Sequence, residues 1–167
     1  QFSDDYWLEH DRSGEFPVEF HKSMADAGWL GVAMPEAVGG AGLGITEAAV
    51  MMQAVAESGG GMTAASSIHG PVFGLEPVLL FGNEEQQQRM IPPILSGEEK
   101  MCFAVTEPNT GLDTTSLKTR AERVEGGYRV NGEKIWITNA HVADRMLLIA
   151  RTTPLEEVKR KTEGLTL

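Results

Sequence analysis

Two short stretches of this 167-residue chain combine residue types that could hold a flat, polar-edged ring. The first, Met101-Cys-Phe-Ala-Val-Thr-Glu-Pro-Asn-Thr-Gly-Leu-Asp113, is an apolar segment ending in the hydroxyl of Thr106, followed by a turn that holds Pro108 and Gly111. Exposed backbone N–H groups in such a turn form a concavity that accepts a phosphate oxygen. The second, Glu133-Lys-Ile-Trp-Ile-Thr-Asn139, reads as a strand. Side chains alternate along a strand, which puts Trp136 and Thr138 on one face and Ile135 and Ile137 on the other. An indole offers a ring an apolar plane, and a short hydroxyl beside it can hydrogen-bond a ring heteroatom. Either segment alone also fits ordinary sheet packing, since Trp and Thr both favour strands. It is their coincidence that points to a redox-active ring.

Other candidate chemistry is weaker. The histidines His10, His21, His69 and His141 show no metal-ligand spacing, and the single cysteine, Cys102, lies far from all of them, so no metal site is expected. His69 falls in an apolar segment, where an imidazole needs a hydrogen-bond partner. Cys102 reads as packing; one cysteine excludes an internal disulfide and fits a reducing compartment. The glycines between Gly39 and Gly44 lack the Gly-Lys-Ser/Thr ending of a nucleotide loop, because Ile45 follows, and read as a tight turn. Gly59-Gly60-Gly61-Met62-Thr63-Ala64 matches a relaxed dinucleotide pattern but follows a predicted helix, not a strand, so the match is accidental. Ser66 and Ser67 lack a nucleophile context. No two carboxylates pair as acid and base, and no catalytic residue is assigned in this segment.

The elements that must position the two stretches follow from periodicity and charge. Residues 1–98 carry 14 acidic and 3 basic side chains, whereas residues 99–167 carry 10 and 11. The break near Gly97–Lys100 predicts two domains, 1–98 and 99–167, with the second better suited to an anionic cofactor. The formal net charge of −10 argues against nucleic acid as a partner. No apolar run approaches the roughly 18 residues of a membrane span. In the first domain, Val18–Ala27 reads as a helix stopped by Gly28, and Thr46 as the cap of a helix reaching Ala56 or Glu57. Met62–Phe81 reads as a buried helix disturbed at Gly70-Pro71 and Pro77, and Asn83 as the cap of Glu84–Met90. From Lys100 the period becomes two. Met101–Thr106, Leu117–Val124, Tyr128–Val130, Glu133–Thr138 and Arg145–Arg151 read as strands, with Gly126-Gly127 and Asn131-Gly132 as hairpin turns. Pro154–Glu163 reads as an exposed loop. The fold class is α+β: an N-terminal all-α domain, then an incomplete antiparallel β-domain.

In order and spacing the two stretches resemble the flavin-binding segments of the acyl-CoA dehydrogenase family. The resemblance extends over the chain through Met34-Pro-Glu-Ala-Val-Gly-Gly-Ala-Gly42, Phe81-Gly-Asn-Glu-Glu-Gln-Gln-Gln-Arg-Met-Ile-Pro-Pro93 and Leu95-Ser-Gly-Glu98. It implies a helical domain, a middle β-domain and a C-terminal helical bundle, the last of these beyond Leu167. It further implies FAD, with Phe103, Val105, Thr106, Gly111 and Leu112 lining the flavin and its pyrophosphate. Trp136 and Ile137 would lie beside the ring and Thr138 near flavin N5, with Leu112 also lining the substrate. Where the family usually has Gly-Ser-Asp, this chain has Gly111-Leu112-Asp113, so residue 112 can offer only its backbone N–H.

The implied reaction is α,β-dehydrogenation of an acyl-CoA thioester, its carboxylate base lying in the later bundle, so that this segment alone is expected to be inactive. An electron-transfer flavoprotein as acceptor, a homodimer or homotetramer, and a bacterial cytoplasmic rather than mitochondrial location go with it. The departure at Leu112 keeps open a flavin-dependent oxidase or monooxygenase on the same fold.

Overall fold

A computed structural model describes residues 1–167. The chain forms two compact units: Gln1–Met101 with Asn139–Arg145, and Cys102–Thr138 with Met146–Leu167.

The first unit is helical, as its sequence predicts. It contains α1 (Asp4–Ser13), α2 (Val18–Asp26), α3 (Ile45–Val55), α4 (Gly61–Gly74), α5 (Glu76–Phe81) and α6 (Glu84–Leu95). Helix α1 has no counterpart in the periodicity reading. It forms because the Ser3 hydroxyl accepts the Tyr6 N–H at 3.3 Å, Asp4 and Asp5 face the positive end of the helix, and buried Trp7 anchors it. Helix α3 is capped not by Thr46 but by Gly44, whose N–H donates to the Glu47 carboxylate at 2.9 Å. The apolar segment expected as one disturbed helix is two, and the break falls at Leu75 rather than at Gly70-Pro71. Pro71 removes one donor from the ladder but keeps a helix-compatible φ, and Ile68 and Gly74 on either side are buried. Pro77 sits in the first turn of α5, where a missing N–H goes unnoticed.

Asn83 and Gln86 cap α6 reciprocally, at 2.8 and 2.9 Å. That helix runs on through Pro92 and Pro93 to Leu95, past the expected end at Met90, because Ile91, Ile94 and Leu95 are buried. The core of the unit gathers Trp7, Phe20, Leu30, Val32, Ala48, Met51, Val55, Ala64 and Ile68. No helix is long and apolar enough to cross a membrane.

The strands are β1 (Met101–Ala104), β2 (Arg120–Val124), β3 (Gly127–Asn131), β4 (Arg145–Leu148), β5 (Ala150–Arg151) and β6 (Leu165–Thr166). They form a β1–β4 pair and a sheet in the order β3-β2-β5-β6. Strands β2 and β3 are antiparallel with Val124 opposite Gly127, so the hairpin turn is Glu125-Gly126, one residue earlier than expected. Strands β5 and β6 are antiparallel, and β2 meets β5 in a single parallel pair, Arg120 with Arg151.

Glu133–Thr138 is not a strand. Trp136 has φ 57°, in the left-handed region, which no strand residue adopts. Nor is Asn131-Gly132 a hairpin turn. Gly132 lies against Thr119 so closely that a Cβ would come within 2.3 Å of its hydroxyl oxygen, and the chain leaves β3 there instead of folding back. The alternation that would put Trp136 and Thr138 on one strand face therefore does not apply. Residues 114–116 form a short 3₁₀ turn, which delays β2 to Arg120.

Candidate ligand site

The residues expected to line a cofactor, between Phe103 and Leu112 and between Trp136 and Thr138, all lie in the second unit. Phe103 is half-buried on β1, and Val105 and Thr106 are half-buried immediately after it. The chain then turns tightly: the N–H of Glu107 donates to the Thr110 carbonyl and the N–H of Thr110 to the Glu107 carbonyl, each at 3.0 Å. Gly111, Leu112 and Asp113 follow, all exposed. None of their three N–H groups is used in an internal hydrogen bond. Such a run of free donors can take an anionic oxygen.

The Asp113 carboxylate beside them accepts from Ser116 Oγ at 2.6 Å, Thr115 Oγ1 at 2.5 Å and Lys161 Nζ at 3.0 Å. These partners hold it well below the usual carboxylate range, and the Lys161 ammonium offsets its repulsion of an anion.

Residues 134 and 135 bond to the chain at the start of this turn. The Ile135 N–H donates to the Thr106 carbonyl at 2.9 Å, and Lys134 Nζ donates to the Val105 carbonyl at 2.8 Å. Lys134 Nζ also lies 3.0 Å from Glu107 Oε1, both side chains being under a tenth exposed. The Glu107 carboxylate accepts two further bonds, from the Lys118 N–H at 2.6 Å and the Thr119 N–H at 2.8 Å. Burial alone would raise its carboxyl pKa. The Thr119 hydroxyl nearby, these two N–H groups and the Lys134 ammonium act the other way and hold it at about 2.

Beyond Ile135 the chain presents Trp136 with 86 % of its surface exposed, then half-buried Ile137 and exposed Thr138. Leu112 is fully exposed as well. Two segments are thus joined at 105–107 and 134–135, with free donors at 111–113 and bare apolar side chains at 112 and 136. The pair Glu107 and Lys134 was not singled out from residue types. Its signal was a lone acid directly after Thr106 and a base directly before Ile135, opposite in sign where the two segments meet.

A further buried charge fixes the chain that follows the turn. Arg151, 4 % exposed, donates from Nε to the Leu117 carbonyl at 3.1 Å, from Nη1 to the Glu163 carbonyl at 3.1 Å, and from Nη2 to the carbonyls of Lys161 (2.8 Å) and Thr115. It pins residues 115–117 to the 161–163 loop. Cys102 is buried, and burial raises its thiol pKa. In the helical unit, His69 Nδ1 lies 3.0 Å from the Ser66 carbonyl. No group of three or more His, Cys, Asp or Glu side chains converges to hold a metal ion.

Comparison with known proteins finds two sequence-family matches in tandem. Residues 3–98 match "Acyl-CoA dehydrogenase, N-terminal domain" and residues 102–167 match "Acyl-CoA dehydrogenase, middle domain". Among curated proteins, the chain is 38 % identical over 144 residues to an acyl-CoA dehydrogenase of Bacillus subtilis, covering 86 % of this chain and 38 % of that protein. Among solved structures, a probable acyl-CoA dehydrogenase from Mycobacterium abscessus superposes with a TM-score of 0.81 at 34 % identity, over 88 % of this chain and 39 % of that one. The structure of PigA with FAD and proline superposes at 0.86 and 26 % identity, over 98 % and 42 %. The chain therefore spans about two fifths of the length of the proteins it matches.

Proposed function

The chain belongs to the acyl-CoA dehydrogenase family, and from that premise we propose that its protein binds FAD on the second unit and dehydrogenates an acyl-CoA thioester between Cα and Cβ. The residues present fit the cofactor. Free N–H groups at 111–113 can take pyrophosphate oxygens, the Trp136 indole offers a plane, and the Thr138 hydroxyl is exposed to reach a ring heteroatom. In this reading Phe103, Val105, Thr106, Gly111, Leu112, Trp136, Ile137 and Thr138 line the cofactor, and Leu112 also faces the substrate. FAD, when bound, supplies the two-electron acceptor for hydride leaving Cβ. The chain's own part is to orient and to exclude water. A fixed donor at Thr138 stabilises charge where it develops, and the apolar faces of Leu112 and Trp136 keep the site dry.

The observation that carries this reading is the double link from Lys134 and Ile135 to the carbonyls of Val105 and Thr106, because it ties the chain just before Trp136 to the chain just before the turn that leads to the free donors. The base that removes the α-proton is assigned outside residues 1–167, so this segment alone is inactive. The domain boundary is proposed between residues 98 and 99. An electron-transfer flavoprotein as acceptor, a homodimeric or homotetrameric assembly, and a bacterial cytoplasmic location complete the proposal.

The test is to purify the full-length protein, read its visible flavin absorbance, and add straight, branched and aromatic acyl-CoA thioesters without oxygen. Bleaching of the flavin band by at least one thioester is expected; a protein that takes up no FAD, or a band that no thioester bleaches, rejects the proposal. A second reading, a flavin-dependent oxidase or monooxygenase, is favoured by Leu112, whose side chain cannot hydrogen-bond a thioester carbonyl. Rapid reoxidation of the reduced protein by oxygen, rather than by an electron-transfer flavoprotein, would select it.

A further inference from the structure

We infer that the buried Glu107–Lys134 pair is a positioning clasp for the cofactor, setting the distance and angle between the 105–113 turn and the Trp136–Thr138 segment without touching the ring itself. This rests on the FAD reading above and goes beyond it, because neither residue belongs to the set expected to line the site.

Lys134 spends its ammonium on two acceptors of the turn, the Val105 carbonyl at 2.8 Å and Glu107 Oε1 at 3.0 Å. Glu107 in turn accepts from the N–H groups of Lys118 and Thr119 at the entry to β2. One ion pair therefore ties together three separate pieces of chain: residues 105–107, 118–119 and 134–135. No other side-chain hydrogen bond or ion pair links the 105–107 stretch to 134–135; the remaining hydrogen bond is the backbone one from Ile135 to Thr106.

The cost of this arrangement is informative. Desolvating two charges consumes most of their mutual attraction, and buried pairs replaced by apolar residues of similar size often lose no stability. Stability alone therefore gives weak grounds for keeping a pair with both side chains less than a tenth exposed. Geometry gives stronger grounds. A buried charged pair whose members also bond the Val105 carbonyl and the Lys118 and Thr119 N–H groups has few low-energy arrangements, whereas an apolar contact slides. A ring held between an indole and a turn tolerates misplacement of about 1 Å poorly.

Separating positioning from mere support requires a variant that restores one and not the other. In the full-length protein, Lys134→Met and Glu107→Gln each leave a buried partner unpaired, and both are expected to lower the melting temperature of the apoprotein. The double variant Glu107→Gln/Lys134→Met removes the orphaned charge, so its melting temperature is expected to return toward wild type. Titration of FAD into each apoprotein, followed by quenching of flavin fluorescence, is expected to show affinity weakened by about tenfold in the single variants and still weakened in the double. The flavin absorbance band is expected to lose its fine structure alongside. Arg145→Met, which breaks an ion pair with Glu99 in the helical unit, serves as the control and should leave FAD affinity unchanged.

Affinity that recovers together with melting temperature in the double variant, or that never falls, would reduce the pair to ordinary structural support and overturn the inference. Wild-type apoprotein that takes up no FAD would sink the functional reading and this inference together. FAD binding that is normal in wild type and in all variants would remove the inference alone.

Discussion

Ile135 and Thr106 are joined backbone to backbone at 2.9 Å, and the very next residue, Trp136, turns out of extended conformation to φ 57°. The chain is anchored and then strained within two residues, and the strained residue exposes its indole. A left-handed backbone costs an aromatic residue on the order of 1–2 kcal/mol, and such strain collects where function holds it in place.

Trp136→Gly should therefore separate stability from binding. The glycine relieves the backbone at little packing cost, since the indole is 86 % exposed, although glycine's freedom in the unfolded chain takes part of the gain back. A net stabilisation of about 0.5 kcal/mol is expected in denaturant titrations of the apoprotein, with FAD affinity falling at the same time. A variant that is both less stable and undiminished in FAD binding would contradict the account.

Arg151 makes a different prediction, because its charge is buried without a carboxylate. Four carbonyls satisfy its planar fork, and a lysine ammonium, with three donors on one atom, cannot reach them together. Arg151→Lys is expected to destabilise the second unit by about 3 kcal/mol. Amide hydrogen exchange should speed up first at residues 115–117 and 161–163. Exchange that changes no more there than elsewhere would show that the guanidinium is not what pins the two loops.

Much of the architecture was legible in the sequence because local signals were strong: the Asn83 cap, the Gly28 stop and the change of period at Lys100 all correspond to observed features. The misses have physical causes. Helix α1 lacks an apolar stripe and rests on one buried tryptophan and a serine cap, too little for periodicity to register. The segment 133–138 has strand composition throughout, yet Gly132 must press against Thr119 and Lys134 must reach Glu107, and those tertiary demands override propensity. The residues of the candidate site could be named from their types. The buried pair that sets their geometry could not, since nothing local shows that a lysine beside an isoleucine will find a glutamate 27 positions earlier.

In the helical unit, His21 gives a pH prediction. It is 4 % exposed and packs against Phe16 at 5.3 Å, and its pKa is lowered to about 4 by burial and then by the Lys100 ammonium. Its folded value lies below the unfolded value of about 6.5, so the unfolded chain binds more protons between the two. The stability that goes with neutral His21 is complete above pH 6.5 and is lost as pH falls toward 4. The difference in unfolding free energy between wild type and His21→Gln should shrink across that window by a few kcal/mol. A constant difference from pH 7 to pH 4 would show that His21 titrates normally.

Thr138→Val tests the assignment closest to the chemistry. Thr138 is exposed and none of its side-chain atoms makes a hydrogen bond within the chain, so replacing the hydroxyl by a methyl should change the stability of the apoprotein by less than about 0.5 kcal/mol. If the hydroxyl donates to the reacting edge of the flavin, losing it removes a hydrogen bond that strengthens as charge develops, worth about 1.5 kcal/mol or roughly a tenfold slower reduction. Stopped-flow reduction of the full-length variant by its best thioester, at saturating concentration, measures this directly. The effect should appear in the limiting rate and not in the thioester concentration at half-saturation, because a bond that tightens only in the transition state leaves ground-state binding alone. An unchanged limiting rate would move the reacting edge away from Thr138, and with it the orientation proposed for the ring between Trp136 and the 105–113 turn.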